Sequence, residues 1–374
     1  MKLKDLAFIG AVVLLLAPFF LSNDLYAAYL ACNASHPYLM ALLKFGILST
    51  AGEVIGLRIK TGRYNEPGFG ILPRAGIVDE SARLLSQEQI PVGNFESPEA
   101  FVRKLAALIE RALDAAHAAV SDIGSIGIGI PGAVKNGEIL YTCNLPLTGV
   151  PLAAMLRRYF DLPIYLENDA NCAAVGEWLY GSGRETQNFI MVTLGTGIGG
   201  GFILNGRLYS GSGMAGEIGH MVIEAGGFPC SCGRCGCWEA YSSAPALIRM
   251  AYAAMEKHPD SILHELSGKS GGMDGRAVFQ AAEMGDSTAL ELCRTYGNYL
   301  AEGLTNLANL FDPEVIAIGG GISGAPEHLL LMPVREAVRQ KCYTGHAGRY
   351  PQIVTAALGG QAGMIGAASL GNAI

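Results

Sequence analysis

The chain has no block of Lys or Arg: its 26 basic residues are scattered among 33 acidic ones, for a formal net charge of −7 over 374 residues. Without such a block there is no electrostatic footprint for a phosphate backbone, so nucleic acid is not expected as the main partner. No repeat of fixed period is present, although two halves each contain a strand-hairpin-helix pattern. No G-x-x-x-x-G-K-[ST] stretch exists, so the chain lacks a P-loop of that type. The nine cysteines are an odd number, five of them scattered at Cys32, Cys143, Cys172, Cys293 and Cys342. That pattern does not build the even framework of a small secreted domain, and it fits reduced thiols in a cytosolic setting. What the chain does have is glycine: 50 residues, about twice the usual share, pointing to tight turns or ligand-cradling loops.

The start of the chain differs from the rest. AFIGAVVLLLAPFFL, Ala7 to Leu21, follows Lys2 and Lys4. At about 15 residues it fits the apolar region of a signal peptide or a short membrane segment. A second apolar stretch, Tyr38 to Leu57, holds Lys44 and Glu53, each costly at mid-bilayer. No Lys or Arg separates the two stretches, whereas Arg58, Lys60 and Arg63 follow the second. If both span, the positive-inside rule leaves the N-terminus and the main body in the cytoplasm, anchored to the inner membrane through residues 7–57. The other reading is two buried or surface helices with no membrane role. RYNEPGFGILPRAG is rich in Gly and Pro and marks a boundary near residues 60–75.

From Gly76 onward, strands alternate with helices, the signature of an α/β body. AGIVDE, IGSIGIGIPGAV, PIYLEND and PEVIAIGGGIS read as strands ending at polar or glycine turns, and NFIMVTLGTGIGGGFILNGRL reads as a β-hairpin. The spacing of Phe101, Leu105, Leu108, Ile109 and Leu113 predicts a helix over Pro98 to Val120.

Four motifs carry candidate chemistry. GTGIGGG, Gly195 to Gly201, follows a buried strand and is either an anion nest for phosphate or a tight hairpin turn. GGGIS, Gly319 to Ser323, repeats the arrangement after a second strand, which favours nucleotide binding. In ENDAN, Asp169 stands where a strand meets a helix, as a cap or as a general base for a sugar hydroxyl. Asn168 and Asn171 flank it with amides suited to hydroxyl groups. GEIGH sets Glu217 and His220 on one face of a helical turn. Ten residues on, CSCGRCGCWE supplies Cys230, Cys232 and Cys237, which with His220 make a Cys₃His set suited to tetrahedral zinc. A disulfide or free thiols are the competing readings, and Cys235 is spare.

With these residues in hand, the chain resembles the ROK family (repressors, open reading frames and sugar kinases), of glucokinase type. The motifs ENDAN, GTGIGGG, GEIGH, CSCGRCGCWEAYSS and IGGGIS occur in the family's order from Gly76 to the C-terminus. The resemblance implies an actin-like ATPase (ribonuclease H-like) two-domain α/β fold, here preceded by one or two apolar N-terminal helices. Residues 1–63 would be the apolar segment, 64–168 a smaller domain, 169–358 a larger domain with the zinc loop, and 359–374 a helix returning to the smaller one. It also implies ATP, Mg²⁺ and a structural Zn²⁺, a hexose or N-acetylhexosamine substrate, and a homodimer. Asp169 would be the base. Asn144, Asn168, Glu217, His220 and Glu239 would contact the sugar. Gly195, Thr196, Gly197 and Gly199, with Gly319, Gly320 and Gly321, would hold the nucleotide.

One departure stands out. The family opens with a strand and an Asp-x-Gly-Gly-Thr loop. Counting back from AGIVDE puts Pro67 at the Asp position; aligning VIGLRIKTG, Val54 to Gly62, puts Arg58 there. Neither can ligate Mg²⁺. Lowered kinase activity is therefore expected, with a non-catalytic, membrane-tethered sugar-binding protein as the alternative. The family's repressors carry an N-terminal DNA-binding helix-turn-helix, which this apolar start does not match.

Overall fold

In the computed structural model, the described residues are 74–90, 95–142, 145, 147–269 and 272–373. They fall in a single unit, Pro73–Ile90 with Phe95–Ile374. In chain order the elements are β1 (Arg74–Val78), β2 (Leu84–Gln89), α1 (Pro98–Ala116), β3 (Ile126–Ile130), β4 (Gly132–Lys135), β5 (Glu138–Thr142) and β6 (Ile164–Asn168). There follow α2 (Asp169–Tyr180), β7 (Phe189–Leu194), β8 (Ile198–Leu204), β9 (Arg207–Leu208), α3 (Ala244–Lys257), α4 (Gly275–Glu283), α5 (Ser287–Phe311), β10 (Val315–Gly319), α6 (Leu331–Lys341), β11 (Gln352–Thr355) and α7 (Ala362–Ala368). Shorter helical turns lie between them.

FIMVTL and VIAIG decide the centre. They are apolar along almost their whole length, as strands covered on both faces must be. Ile190, Val192 and Leu194 of β7 and Ile316 and Ile318 of β10 pack into a core with α4, α5 and α6. The intervening Phe189, Met191, Val315 and Ala317 face the other way, toward α2 and α7. Period-two alternation thus puts helices on both sides of one five-stranded sheet, ordered β11-β10-β7-β8-β9. β7, β10 and β11 run parallel, and β8 returns antiparallel to β7 as the expected hairpin.

β1 with β2, β3 with β6, and β4 with β5 form separate two-stranded sheets among the described residues. α7 lies against α2 so closely that a Cβ at Gly366 would sit 1.7 Å from the Cys172 carbonyl oxygen, which only glycine permits. Its Ala367 carbonyl approaches Gly127 of β3 in the same way.

The first helix is shorter than its apolar spacing suggests. Ser97 caps it, accepting from the Ala100 N–H at 3.2 Å, and Pro98 fits the first turn. It stops at Ala116 because His117 adopts the left-handed conformation, φ 54°. The membrane reading, residues 7–57, lies outside the described residues, as do Asn144 and the Pro67 and Arg58 alignments. Among the described residues no helix is long and apolar enough to cross a membrane.

Candidate functional site

ENDAN closes β6 and opens α2. Asn168 is the cap: its Oδ1 accepts the N–H groups of Ala170 at 2.9 Å and Asn171 at 3.2 Å, while its Nδ2 donates to the Gly132 carbonyl at 3.1 Å. Capping is thereby taken from Asp169, the first helical residue, whose Oδ1 accepts the adjacent Ala170 N–H at 2.9 Å. Solvent reaches Asp169, yet enough protein surrounds it that burial pushes its carboxyl above the ordinary value. The Ala170 N–H opposes that rise, and the charge of Glu217 adds to it. Asp169 and Glu217 are therefore within electrostatic reach of one another.

The glycine turn is a hairpin: Leu194 pairs with Ile198, and the Gly195 N–H donates to the Gly197 carbonyl at 3.0 Å. A Cβ at Gly195 or Gly321 would meet nothing within 4 Å, so the backbone there is open to a ligand's approach. The second loop comes alongside. Gly320, φ +84°, lies so near the end of β7 that a Cβ would sit 2.3 Å from the Leu194 carbonyl oxygen. Both glycine segments thus meet at one end of the central sheet, the end where open α/β sheets place ligands. Thr196, at the tip, is exposed.

Glu239 reaches this turn from the cysteine loop. Its Oε2 accepts the Ile198 N–H at 3.0 Å, and the Ala244 N–H donates to the Gly195 carbonyl at 2.9 Å. Gly199 on β8 lies against Ala170, a Cβ there coming within 3.0 Å of the alanine methyl. Asp169, the glycine turn and Glu239 therefore form one wall.

His220 ends a short 3₁₀ turn, Ile218–His220, that places Nε2 4.0 Å from Glu217 Oε2. Its Nδ1 lies 3.5 Å from Cys230 Sγ, and Cys232 Sγ lies 3.6 Å from Cys237 Sγ. The four ligand atoms lie within 4.8 Å of one another. Zn–S bonds of about 2.3 Å in a tetrahedron give edges of about 3.8 Å, so the donor set suits zinc and its widest pair has to close by only about 1 Å around an ion. Metal-free, the thiols differ. The Arg234 N–H draws Cys232 below the usual thiol value, while burial, and then the neighbouring thiols, push Cys237 up to about 12. Cys235 is exposed and outside the set. With Nδ1 on the cysteine side, the Nε2 of His220 is the atom left for Glu217 and a ligand.

The described residues of the expected site therefore converge, Asn144 lying outside them. Two carboxylates that sequence reasoning did not single out are equally built in. Glu177, fully buried on α2, accepts from the Ser182 N–H and hydroxyl and from the Ala357 and Leu358 N–H groups, pinning the chain after β11. Glu167, 7% exposed, joins β6 to the loop after β9 through Ser210. A lone Glu in an apolar helix or at a strand end carries no sequence signal of such a partner.

The ROK family matches this chain over residues 73–373. The glucokinase of Streptomyces coelicolor is 35% identical over 302 residues, covering 79% of this chain and 93% of that protein. The xylose repressor of Bacillus spizizenii is 34% identical over 254 residues, covering 67% of this chain but 62% of the repressor. Among solved structures, a ROK family glucokinase from Streptomyces griseus in complex with glucose and AMPPNP superposes with a TM-score of 0.68 at 34% identity, over 80% of this chain and 99% of that one.

Proposed function

This chain belongs to the ROK family, and we propose that its body is an ATP-dependent kinase that phosphorylates a hydroxyl of a hexose or N-acetylhexosamine. Its fold is the family's actin-like ATPase α/β arrangement. The observation that carries the reading is the division of labour in ENDAN: Asn168 caps the helix, which leaves Asp169 as a partly desolvated carboxylate released from the capping task. Coverage supports a kinase over a repressor, since the alignment takes in nearly all of the glucokinase but under two thirds of the xylose repressor.

Asp169 accepts the proton of the attacking hydroxyl, and its raised pKa makes it a better base than an ordinary aspartate at the same ionisation. Asn168, Glu217, His220 and Glu239 accept and donate hydrogen bonds to the remaining hydroxyls and orient the sugar, with Asn144 assigned to the same task. The backbone N–H groups of Gly195, Thr196, Gly197 and Gly199 and the Gly319–Gly321 segment hold the nucleotide by close approach. Mg²⁺, carried in with ATP, supplies neutralising charge on the phosphates. Zinc on His220, Cys230, Cys232 and Cys237 is structural, since four protein ligands leave no open position. In the same reading, 64–168 with 359–374 form the smaller domain and 169–358 the larger. Residues 7–57 contact the membrane, the body is cytoplasmic, and two copies pair.

The absent Asp-x-Gly-Gly-Thr carboxylate favours one second reading, a sugar-binding protein with little or no turnover. A coupled assay of the full chain with ATP-Mg²⁺ and a panel of glucose, N-acetylglucosamine, N-acetylmannosamine, allose and fructose separates the two. Turnover of any of them supports the kinase; saturable sugar binding without turnover rules it out in favour of the second reading.

A further inference from the structure

Glu217 is carried by a loop that has little to hold it. SGSGMAGE, Ser210 to Glu217, contains three glycines, and Met214 is 62% exposed. The glycines let its backbone press on the body: a Cβ at Gly213, φ +100°, would lie 2.6 Å from the Val134 carbonyl oxygen, and one at Gly216, φ +95°, 2.4 Å from that of Gly200. Such packing limits approach but does not fix register. Ser210 does. Its carbonyl accepts the N–H groups of Gly213 at 2.8 Å and Ala215 at 3.3 Å, which shapes the loop. Its hydroxyl donates to Glu167 Oε2 at 2.8 Å. Among the described residues this is the one side-chain hydrogen bond from Ser210–Ala215 to the rest of the molecule.

The other end of that bond is anchored in the turn that bears Asp169. Glu167 Oε1 accepts the Asn168 N–H at 2.8 Å and Asn171 Nδ2 at 3.0 Å. A nearly buried carboxylate is costly unless donors surround it, and here three do. Asn171 Oδ1, buried and without a partner, lies 3.8 Å from where a Gly216 Cβ would stand, so the same side chain borders both the turn and the loop. We propose that the Glu167–Ser210 hydrogen bond is a positioning clasp that sets Glu217 at a fixed place relative to Asp169 and thereby governs sugar affinity. The proposal rests on the reading that these two carboxylates face a sugar, and it adds Glu167 and Ser210 as specificity-supporting residues that touch no ligand themselves.

The test is calorimetric titration of the full chain with the hexose panel and, separately, with AMPPNP. Ser210→Ala is expected to weaken sugar binding about 10- to 100-fold, the scale of one lost hydrogen bond to a charged group. AMPPNP affinity should stay close to wild type, and the melting temperature should fall only by the few degrees expected when Glu167 keeps two of its three donors. Ser210→Thr, which keeps the hydroxyl, should restore sugar affinity to within a few-fold, and Glu167→Gln, which keeps an acceptor, should lie between the two. Unchanged sugar affinity in Ser210→Ala overturns the clasp while leaving the kinase reading intact. Equal loss of sugar and nucleotide binding, or failure of the threonine to restore, reduces Ser210 to a general structural role and overturns it too. Wild-type protein that binds none of the panel sugars overturns the clasp and the sugar reading together.

Discussion

Glu239 Oε2 accepts the backbone N–H of Ile198 at 3.0 Å, and this contact fixes the carboxylate that ends the cysteine loop to the first residue of β8. The glycine turn and the Trp-Glu pair are thus one assembly. A Cβ at Gly197 would fall 2.3 Å from that same oxygen. Gly197→Ala must therefore displace the Glu239 carboxylate, and it should lower kcat/KM at least tenfold, at a stability cost on the order of 1–3 kcal/mol from the lost hydrogen bond to the Ile198 N–H. Gly195→Ala, whose Cβ meets nothing within 4 Å, should leave stability within about 1 kcal/mol of wild type. Steady-state kinetics and thermal melts of both variants check the contrast. Equal losses of stability in the melts would show that the turn's own flexibility, not Glu239, is what matters, whereas lowered activity in Gly195→Ala would report its approach to the nucleotide.

Asp169→Asn keeps the side chain's shape and removes its basicity. Turnover should fall by about 10²–10⁴, the range for loss of a general base, while sugar affinity measured by titration stays within a few-fold. Activity close to wild type would exclude Asp169 as the base.

The raised pKa of Asp169 carries two pH signatures. Activity should decline as pH falls through a value above the ordinary aspartate pKa, because the base becomes protonated. For stability the sign is opposite to that of an ion-paired acid. The folded state holds this proton more tightly than the unfolded chain, so the charged carboxylate costs stability above its folded pKa, and that cost vanishes as pH falls through it. Asp169→Asn should therefore melt higher than wild type at neutral pH, with the advantage shrinking toward acid. A neutral-pH melting temperature below wild type would show that the carboxylate is not paying a desolvation cost.

The zinc assignment predicts about one zinc per chain by metal analysis, lost in Cys232→Ser and retained in Cys235→Ser. Because buried Cys237 resists ionisation when free, binding should release protons and weaken as pH falls. Chelation should lower the melting temperature of the wild type but not of Cys232→Ser. Metal-free protein with full stability would end the assignment.

How much of this was legible in advance depended on whether the physics was local. FIMVTL and VIAIG announce doubly covered strands because burial of both faces leaves a continuous apolar run, and the alternation then assigns each residue to its side. His220 with Cys230, Cys232 and Cys237 was legible because zinc needs few residue types and the loop brings them together within a short span. ENDAN was half legible: Asn168 and Asp169 can both cap a helix, and only the observed hydrogen bonds give that task to Asn168. Glu167 with Ser210 was not legible, since a serine 43 positions from a glutamate carries no pattern until the chain is folded. The end of α1 was missed for a similar reason, the left-handed residue there being His117 rather than glycine.

Trp238 shows how a distant glycine can reach the site. The indole is fully buried, its Nε1 donates to the Tyr299 carbonyl at 3.0 Å, and its backbone N–H donates to Met221 at 2.8 Å. Gly303 on α5 makes room for the ring: a Cβ there would lie 2.0 Å from Cε2. A ring held at both ends cannot swing away, so Gly303→Ala must push α5 or the indole, and with the indole moves Glu239, the next residue. It should destabilise by about 1–3 kcal/mol or more, seen as a lower urea midpoint at unchanged m-value, and weaken sugar binding in the folded fraction. Gly297, on the same helix, supplies the control. Its Cβ would make an ordinary 3.6 Å contact with Val334, so Gly297→Ala should be neutral or stabilising by up to about 1 kcal/mol through helix propensity. If both alanines stabilise, the indole yields where the structure holds it fast, and Trp238 is not what fixes Glu239 in place.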